Sequence, residues 1–482
     1  MNNYLLKSRI VSIKYPKALF AAVVIVFSFI TFLVCVNNPN FSYYYTTLYL
    51  LPLFHCFISM LFFCFLFKGD FYTDLPVLII YIALTVRNVL TPFAMVFDGY
   101  TSILGIPSNS SAHKAILVMI YETFSVLAII IIYKKMCHLN SRKNKVKKRF
   151  KSKFIFGSVI FSAILISMVS FVILPELRSQ YYSIFTSDIT HLAKESYSYS
   201  SGIKRMFASA SELIIEATRL TVCTIIIVRL RKRGERRLNY TLCLILILFQ
   251  FLFMTDSNAY IIMLALTLFI VTCRLFPSYS KKTFRRLVIV IFVFGILLYK
   301  NRFALDHYGS SMSKFLQAYF PGVANFCGVE QLLPRSIGTS LNQIFIDLYA
   351  AVPFRSTLFG YSGGLIDLPT LWNKANGVSG QIMPTVAQSY YYFGSFFSPL
   401  LSCIITLISL KAFNKAKHTD NPIMFGALIF LSIYGAISVV MYDFYIFSKG
   451  FTNRILFMML FAYFSDYSIR KITGETVGYE RE

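Results

Sequence analysis

The long apolar runs of this chain decide what it can fold into. A helix that crosses the hydrocarbon core of a bilayer needs roughly 20 consecutive apolar residues, and the chain offers about twelve such stretches. They fall at 17–36, 46–67, 75–97, 114–136, 154–174, 206–228, 238–255, 258–276, 285–301, 384–410, 422–442 and 453–470. Of the 482 residues, 56% are hydrophobic and 14% charged, and Phe occurs 49 times. A water-soluble chain cannot hide that much apolar surface. The expected fold class is therefore an all-α polytopic integral membrane protein, and a cytosolic enzyme, a disordered chain and a disulfide scaffold are excluded. The first run follows a basic segment, but Val34–Asn40 offers no small-residue cleavage site, so it is expected to stay as a span.

The net charge of +26 would suit a nucleic-acid binder if it were gathered on a soluble domain. Instead, the Lys and Arg concentrate in short connections, above all 134–153, 229–237 and 274–286. With the N-terminus inside, these basic connections fall on one face, as the positive-inside rule requires. Both termini are then cytoplasmic, and no nucleic-acid partner is expected. The nine cysteines lie mostly in apolar runs without a CxxC pair, so they read as small apolar fillers.

Two connections on the opposite face are long. One is 175–205. The other is 302–383, between the ninth and tenth spans, and a segment of that length in a compact protein usually has a task. It holds helix-like stretches at Ser313–Tyr319 and Leu341–Ala351, a Gly-rich turn at Gly360–Gly364, and the only Trp, Trp372. The expectation is one membrane domain over 1–482, with 302–383 as a lid carrying short helices. The two halves show no matched pair of broken helices, which argues against an inverted-repeat transporter.

Ionisable side chains inside the spans are few and should face the protein interior. They are Arg87 in the third span, Glu122 in the fourth, and Glu212, Glu216 and Arg219 in the sixth. Spacings of four and three put the last three on one helical face. Arg87, Glu122, Glu216 and Arg219 are expected to form one polar network. It serves either to fix helix packing or as a proton path or active-site floor. Glu212, nearest the outside, is the catalytic candidate of the group.

The long segment adds Arg302, Arg335 and Arg355, and guanidinium groups hold phosphate oxygens in pairs, as ammonium cannot. Asp306 and His307 follow Arg302 and are candidates for a general base. Headgroup contact, surface ion pairing and an ordinary loop histidine are the plainer alternatives. No GxxxxGK[ST] loop, no GxGxxG turn and no HExxH pair occurs, so no nucleotide, cofactor or metal is expected. Tyrosine runs at Tyr43–Tyr45 and Tyr390–Tyr392 suit a membrane-interface belt or, alternatively, platforms for sugar rings.

Several short pieces are similar to one family. They are Tyr319-Phe320-Pro321-Gly322 with Asn325, then Phe354-Arg355-Ser356-Thr357-Leu358-Phe359-Gly360. Pro384-Thr385 with Ser389-Tyr390-Tyr391-Tyr392-Phe393-Gly394 completes the set. With the arrangement of many spans and one dominant late external segment, they resemble the Wzy-type polymerases of O-antigen, capsule and exopolysaccharide, relatives of the O-antigen ligases. The resemblance implies a multi-pass enzyme of the cytoplasmic (inner) membrane that joins undecaprenyl-pyrophosphate-linked repeat units at the outer face. It implies that external arginines, here Arg302, Arg335 and Arg355, grip the lipid pyrophosphate. It further implies metal-free catalysis and a chain-length regulator as a partner beside membrane lipid. An O-antigen ligase is the nearest alternative, and a lipid-linked oligosaccharide flippase the alternative of another class.

Overall fold

The computed structural model describes residues 17–38, 45–66, 71–100, 107–140, 202–250, 258–279, 311–332, 337–353 and 365–464, with isolated positions at 102, 104 and within 161–173. Among the described residues the chain is helical throughout, with no strand. In chain order, α1 is Lys17–Asn37, α2 Leu50–Leu61, α3 Phe71–Thr85, α4 Thr91–Phe97 and α5 Asn109–Asn140. Then come α6 Gly202–Lys232, α7 Arg237–Phe249 and α8 Asn258–Leu275. The segment 302–383 contributes α9 Met312–Tyr319, α10 Val323–Cys327, α11 Ile337–Ala350 and α12 Leu368–Ala375. Last are α13 Thr385–Phe393, α14 Leu400–Lys417, α15 Pro422–Met441, α16 Phe444–Gly450 and α17 Leu456–Phe464.

Among the described residues, four helices are long and apolar enough to cross a membrane: Ala18–Asn37, Leu75–Phe97, Asn109–Cys137 and Pro422–Met441. Three shorter apolar helices, Leu50–Cys64, Arg237–Phe249 and Ala259–Leu275, accompany them. The expected span 285–301 lies outside the described residues, as do 175–201 of the 175–205 connection and most of 154–174, while 202–205 already belong to α6.

Helix α15 is the centre of the bundle. It is apolar on every side and buried along nearly its whole length, as expected of a helix without a polar face. Pro422 sits in its first turn, and the Asn421 side chain accepts hydrogen bonds from the Ile423 and Met424 N–H groups. Around it pack α14, α3, α8, α6 and α17. This contact produces one large apolar core.

A second core is built differently. Cys35, Leu51, Met95, Ile116 and Met119 from α1, α2, α4 and α5 pack with Val323, Phe326, Leu332, Leu368, Trp372 and Tyr391. The described helices of 302–383 are thus a packed layer on the ends of the apolar helices. Ser311 caps α9 through the Lys314 N–H, and Asp98, after α4, accepts from Ser311 Oγ and the Ser313 N–H.

Two expected boundaries change. The run 384–410 is two helices, because Gly394 ends α13 at φ +78°, a left-handed conformation that glycine adopts without cost, and Pro399 precedes α14. The last helix starts at Phe444, where Asp443 caps it through the Ile446 N–H. It continues through a π-helical turn, Phe451–Ile455, into α17. A second π-helical turn, Val86–Leu90, joins α3 to α4, and a third, Phe62–Leu66, extends α2.

Candidate functional site

Two buried ion pairs are built on the π-helical turns. Arg87, on the turn Val86–Leu90, meets Glu122 of α5 at 2.7 Å between Nη2 and Oε2, and both side chains are almost wholly buried. The other Glu122 oxygen accepts from Ser402 Oγ of α14. Asn88 donates to Thr123 Oγ1 at 3.3 Å, which fixes the turn against α5. Arg454, on the turn Phe451–Ile455, pairs through Nε with Glu216 of α6, and its guanidinium lies over the Tyr260 ring at 4.6 Å. Tyr260 Oη in turn donates to the Glu216 carbonyl oxygen. A π-turn adds one residue to the helical ladder, so it swings a side chain to a direction the regular helix would not give.

The four intramembrane residues expected as one network therefore sit in two places. Arg87 and Glu122 belong together. Glu216 takes Arg454 as its ion-pair partner, and Arg219 donates to the Gln250 side chain and carbonyl, both at 2.7 Å. Arg454 displaces Arg219 from the expected role because the last helix begins nine residues before the expected span. Arg454 is thus well inside a helix instead of at its start.

A third cluster joins the 302–383 layer to the bundle. Asp347 of α11 is fully buried. Its Oδ1 accepts from Gln343 Nε2 at 3.0 Å and from the Leu368 N–H at the start of α12 at 2.8 Å. Its Oδ2 accepts from Gln388 Nε2 at 2.8 Å and from Tyr392 Oη, both on α13. Gln388 reaches onward: its Oε1 accepts from the Phe444 N–H at 2.7 Å. One carboxylate thereby ties α11, α12 and α13 together, with α16 one bond further.

Beside it stands Asp443. One oxygen accepts from the Ile446 N–H at 2.6 Å, and the other is buried with no hydrogen-bond partner among the described residues. Burial pushes the Asp443 carboxyl up to about 8. The Ile446 N–H opposes that shift, and the negative charges of Asp347 and Asp367 add to it. Burial also raises Asp347, against the pull of its four donors. A carboxyl that keeps its proton near neutral pH can donate it, so Asp443 is an acid–base candidate in chemical character.

The other expected site residues cannot be set beside these. Arg302, Asp306, His307, Arg335 and Arg355 lie outside the described residues, and so does the side chain of Glu212. Sequence reasoning missed Arg454 and Asp443. The signal for both is the same: an Asp just before an apolar run marks a helix start. Among the described residues no three His, Cys, Asp or Glu side chains are gathered closely enough to hold a metal ion. No protein family, no curated protein and no solved structure matches the chain.

Proposed function

We propose that this protein is a multi-pass enzyme of the cytoplasmic membrane that polymerises lipid-linked oligosaccharide repeat units, using an undecaprenyl-pyrophosphate donor. In this reading about twelve helices span the bilayer. Both termini are cytoplasmic, and 302–383 stands at the outer face. The bond from the donor's reducing-end anomeric carbon to pyrophosphate breaks, and that carbon bonds to an acceptor hydroxyl oxygen. The hydroxyl proton passes to a base, for which Asp306, His307 and Glu212 are the candidates. Lipid pyrophosphate leaves, and Arg302, Arg335 and Arg355 stabilise its charge.

The observation that carries the reading is the second core. The described helices of 302–383 are folded onto the ends of apolar helices and held there by the buried Asp347, as a site working on a membrane-anchored substrate would need. A flippase fits less well, because Arg87 and Arg454 are each spent on a glutamate instead of facing an anionic cargo.

Deletion of the gene in its host, followed by gel analysis of the surface glycan, tests the proposal. The expected result is collapse of a ladder to single repeat units, reproduced by alanine at Arg302, Arg335 or Arg355 at normal protein level. Full-length polymer left on the lipid carrier would mean a ligase, and repeat units held on the cytoplasmic leaflet would mean a flippase.

A further inference from the structure

Helix α11 is inside out. Its buried face carries Ser340, Gln343 and Asp347, and its exposed face carries Leu341 (39% exposed), Phe345 (70%) and Leu348 (41%), with the exposed Asn342 at the stripe's edge. Positions 341, 345 and 348 follow one another at spacings of four and three, so they form a single stripe. A helix in water turns its apolar stripe inward and its polar face out. In α11 the polar face is satisfied within the protein, where Asp347 receives four donors. Asp347 is the helix's one ionisable acidic or basic residue, so no charge is left for the outer face.

Such inversion belongs to a helix whose outer surroundings are hydrocarbon, where polar groups must find partners inside the protein. The neighbours agree. α11 packs on α13, which is buried along almost its entire length, and on α16. The Ala351 carbonyl oxygen, at the end of α11, accepts from Thr452 Oγ1 at 2.7 Å. From that point α17 continues an exposed apolar stripe: Leu456 (43%), Leu460 (44%) and Tyr463 (60%). An exposed apolar stripe thus lies on each of the two helical runs that this hydrogen bond ties together. At 1.5 Å per residue, 14 residues reach about 21 Å, too short for a core of roughly 30 Å.

We infer that α11 is a non-spanning, membrane-embedded helix whose Leu341–Phe345–Leu348 face is seated in the acyl chains of the surrounding bilayer. The 302–383 segment is then not a wholly aqueous connection, and Asp347 holds it down from its inner side. The inference uses only the membrane character of the chain and stands whichever glycan reaction, if any, the protein performs.

The test uses the full chain reconstituted in phosphatidylcholine vesicles. The only tryptophan, Trp372, is completely buried, so an added one can be read against a constant background. Phe345→Trp is the main variant, with Leu341→Trp and Leu348→Trp on the same stripe as alternatives where one fails to fold. The expected result is loss of the added emission when the lipid carries brominated acyl chains, and no loss with aqueous iodide. Quenching by iodide and not by brominated lipid would overturn the inference and return α11 to water. Protection from both would overturn it in favour of a protein surface, a second copy of the chain or another partner, covering the stripe.

Discussion

Arg454 and Glu216 form a pair whose two members are unequally shielded. The Arg454 side chain is 25% exposed and that of Glu216 only 2%. Removing one member of a buried pair leaves an uncompensated charge and costs about 3–5 kcal/mol, whereas replacing both by apolar groups is often neutral. Arg454→Met should therefore lower the melting temperature in detergent sharply, because it strands the more buried carboxylate. Glu216→Gln should cost less, since Arg454 keeps some access to solvent. The double variant Glu216→Leu with Arg454→Met should recover most of the loss. Additive losses in the double variant would show that the two side chains act separately. The Arg87 and Glu122 pair is legible in the sequence, since each is an isolated charge in an apolar run, and burial leaves such charges only each other. Glu216 is equally visible, but its partner is not. Arg454 stands at the edge of a run, and although Asp443 marks a helix start at Phe444, nothing local says that a π-turn rotates residue 454 toward α6.

At the level of the element, Asp443 decides where the last helix starts, and its proton links that start to pH. Its folded value, about 8, lies above the ordinary 3.8 of an unfolded Asp. Below about 4 both states hold the proton and the group has no effect on stability. As pH rises, the unfolded chain releases the proton while the folded one keeps it, so stability falls through this window until the folded group ionises near 8. Asp443→Asn keeps a side-chain oxygen to cap the Ile446 N–H, and Asn is as good an N-cap as Asp. Its melting temperature should equal that of the parent near pH 4 and exceed it increasingly toward pH 8. A parallel pH dependence for both proteins would remove Asp443 as the titrating group. Helix existence is well read from apolar periodicity here, as α9 and α11 illustrate. Helix breaks are not: the 384–410 run hides the turn at Gly394, because a glycine inside an apolar stretch looks the same whether its φ is negative or positive. The polarity of α11 is legible in principle from its Ser, Gln and Asp at 340, 343 and 347. Which face looks inward becomes clear only once α13 supplies Gln388 and Tyr392.

For the whole molecule, sidedness rests on charge and not on packing. A helical bundle packs equally well either way up, so the described contacts are neutral on this point. The translocation preference of Lys and Arg is not neutral, and with the expected spans it puts the short basic connections on one face. The connection between α6 and α7, with Arg231, Lys232, Arg233, Arg236 and Arg237, is expected in the cytoplasm. The turn after α12, with Ser379, is expected outside. Both Arg233 and Ser379 are exposed, so a cysteine at either place meets solvent without disturbing a core. In a chain where the exposed Cys64 is changed to Ser, a membrane-impermeant maleimide applied to intact cells should label Ser379→Cys and not Arg233→Cys. Permeabilised cells should yield both. The reverse pattern in intact cells would invert the topology and place the 302–383 layer at the cytoplasmic face. An undecaprenyl-pyrophosphate polymerase working at the outer face could not then use it. Labelling of both sites in intact cells would mean an even number of crossings between α6 and α12, at odds with the three expected at α7, α8 and 285–301. Sidedness therefore bears directly on chemistry: the proposed donor and acceptor meet the enzyme only if the basic connections stay inside.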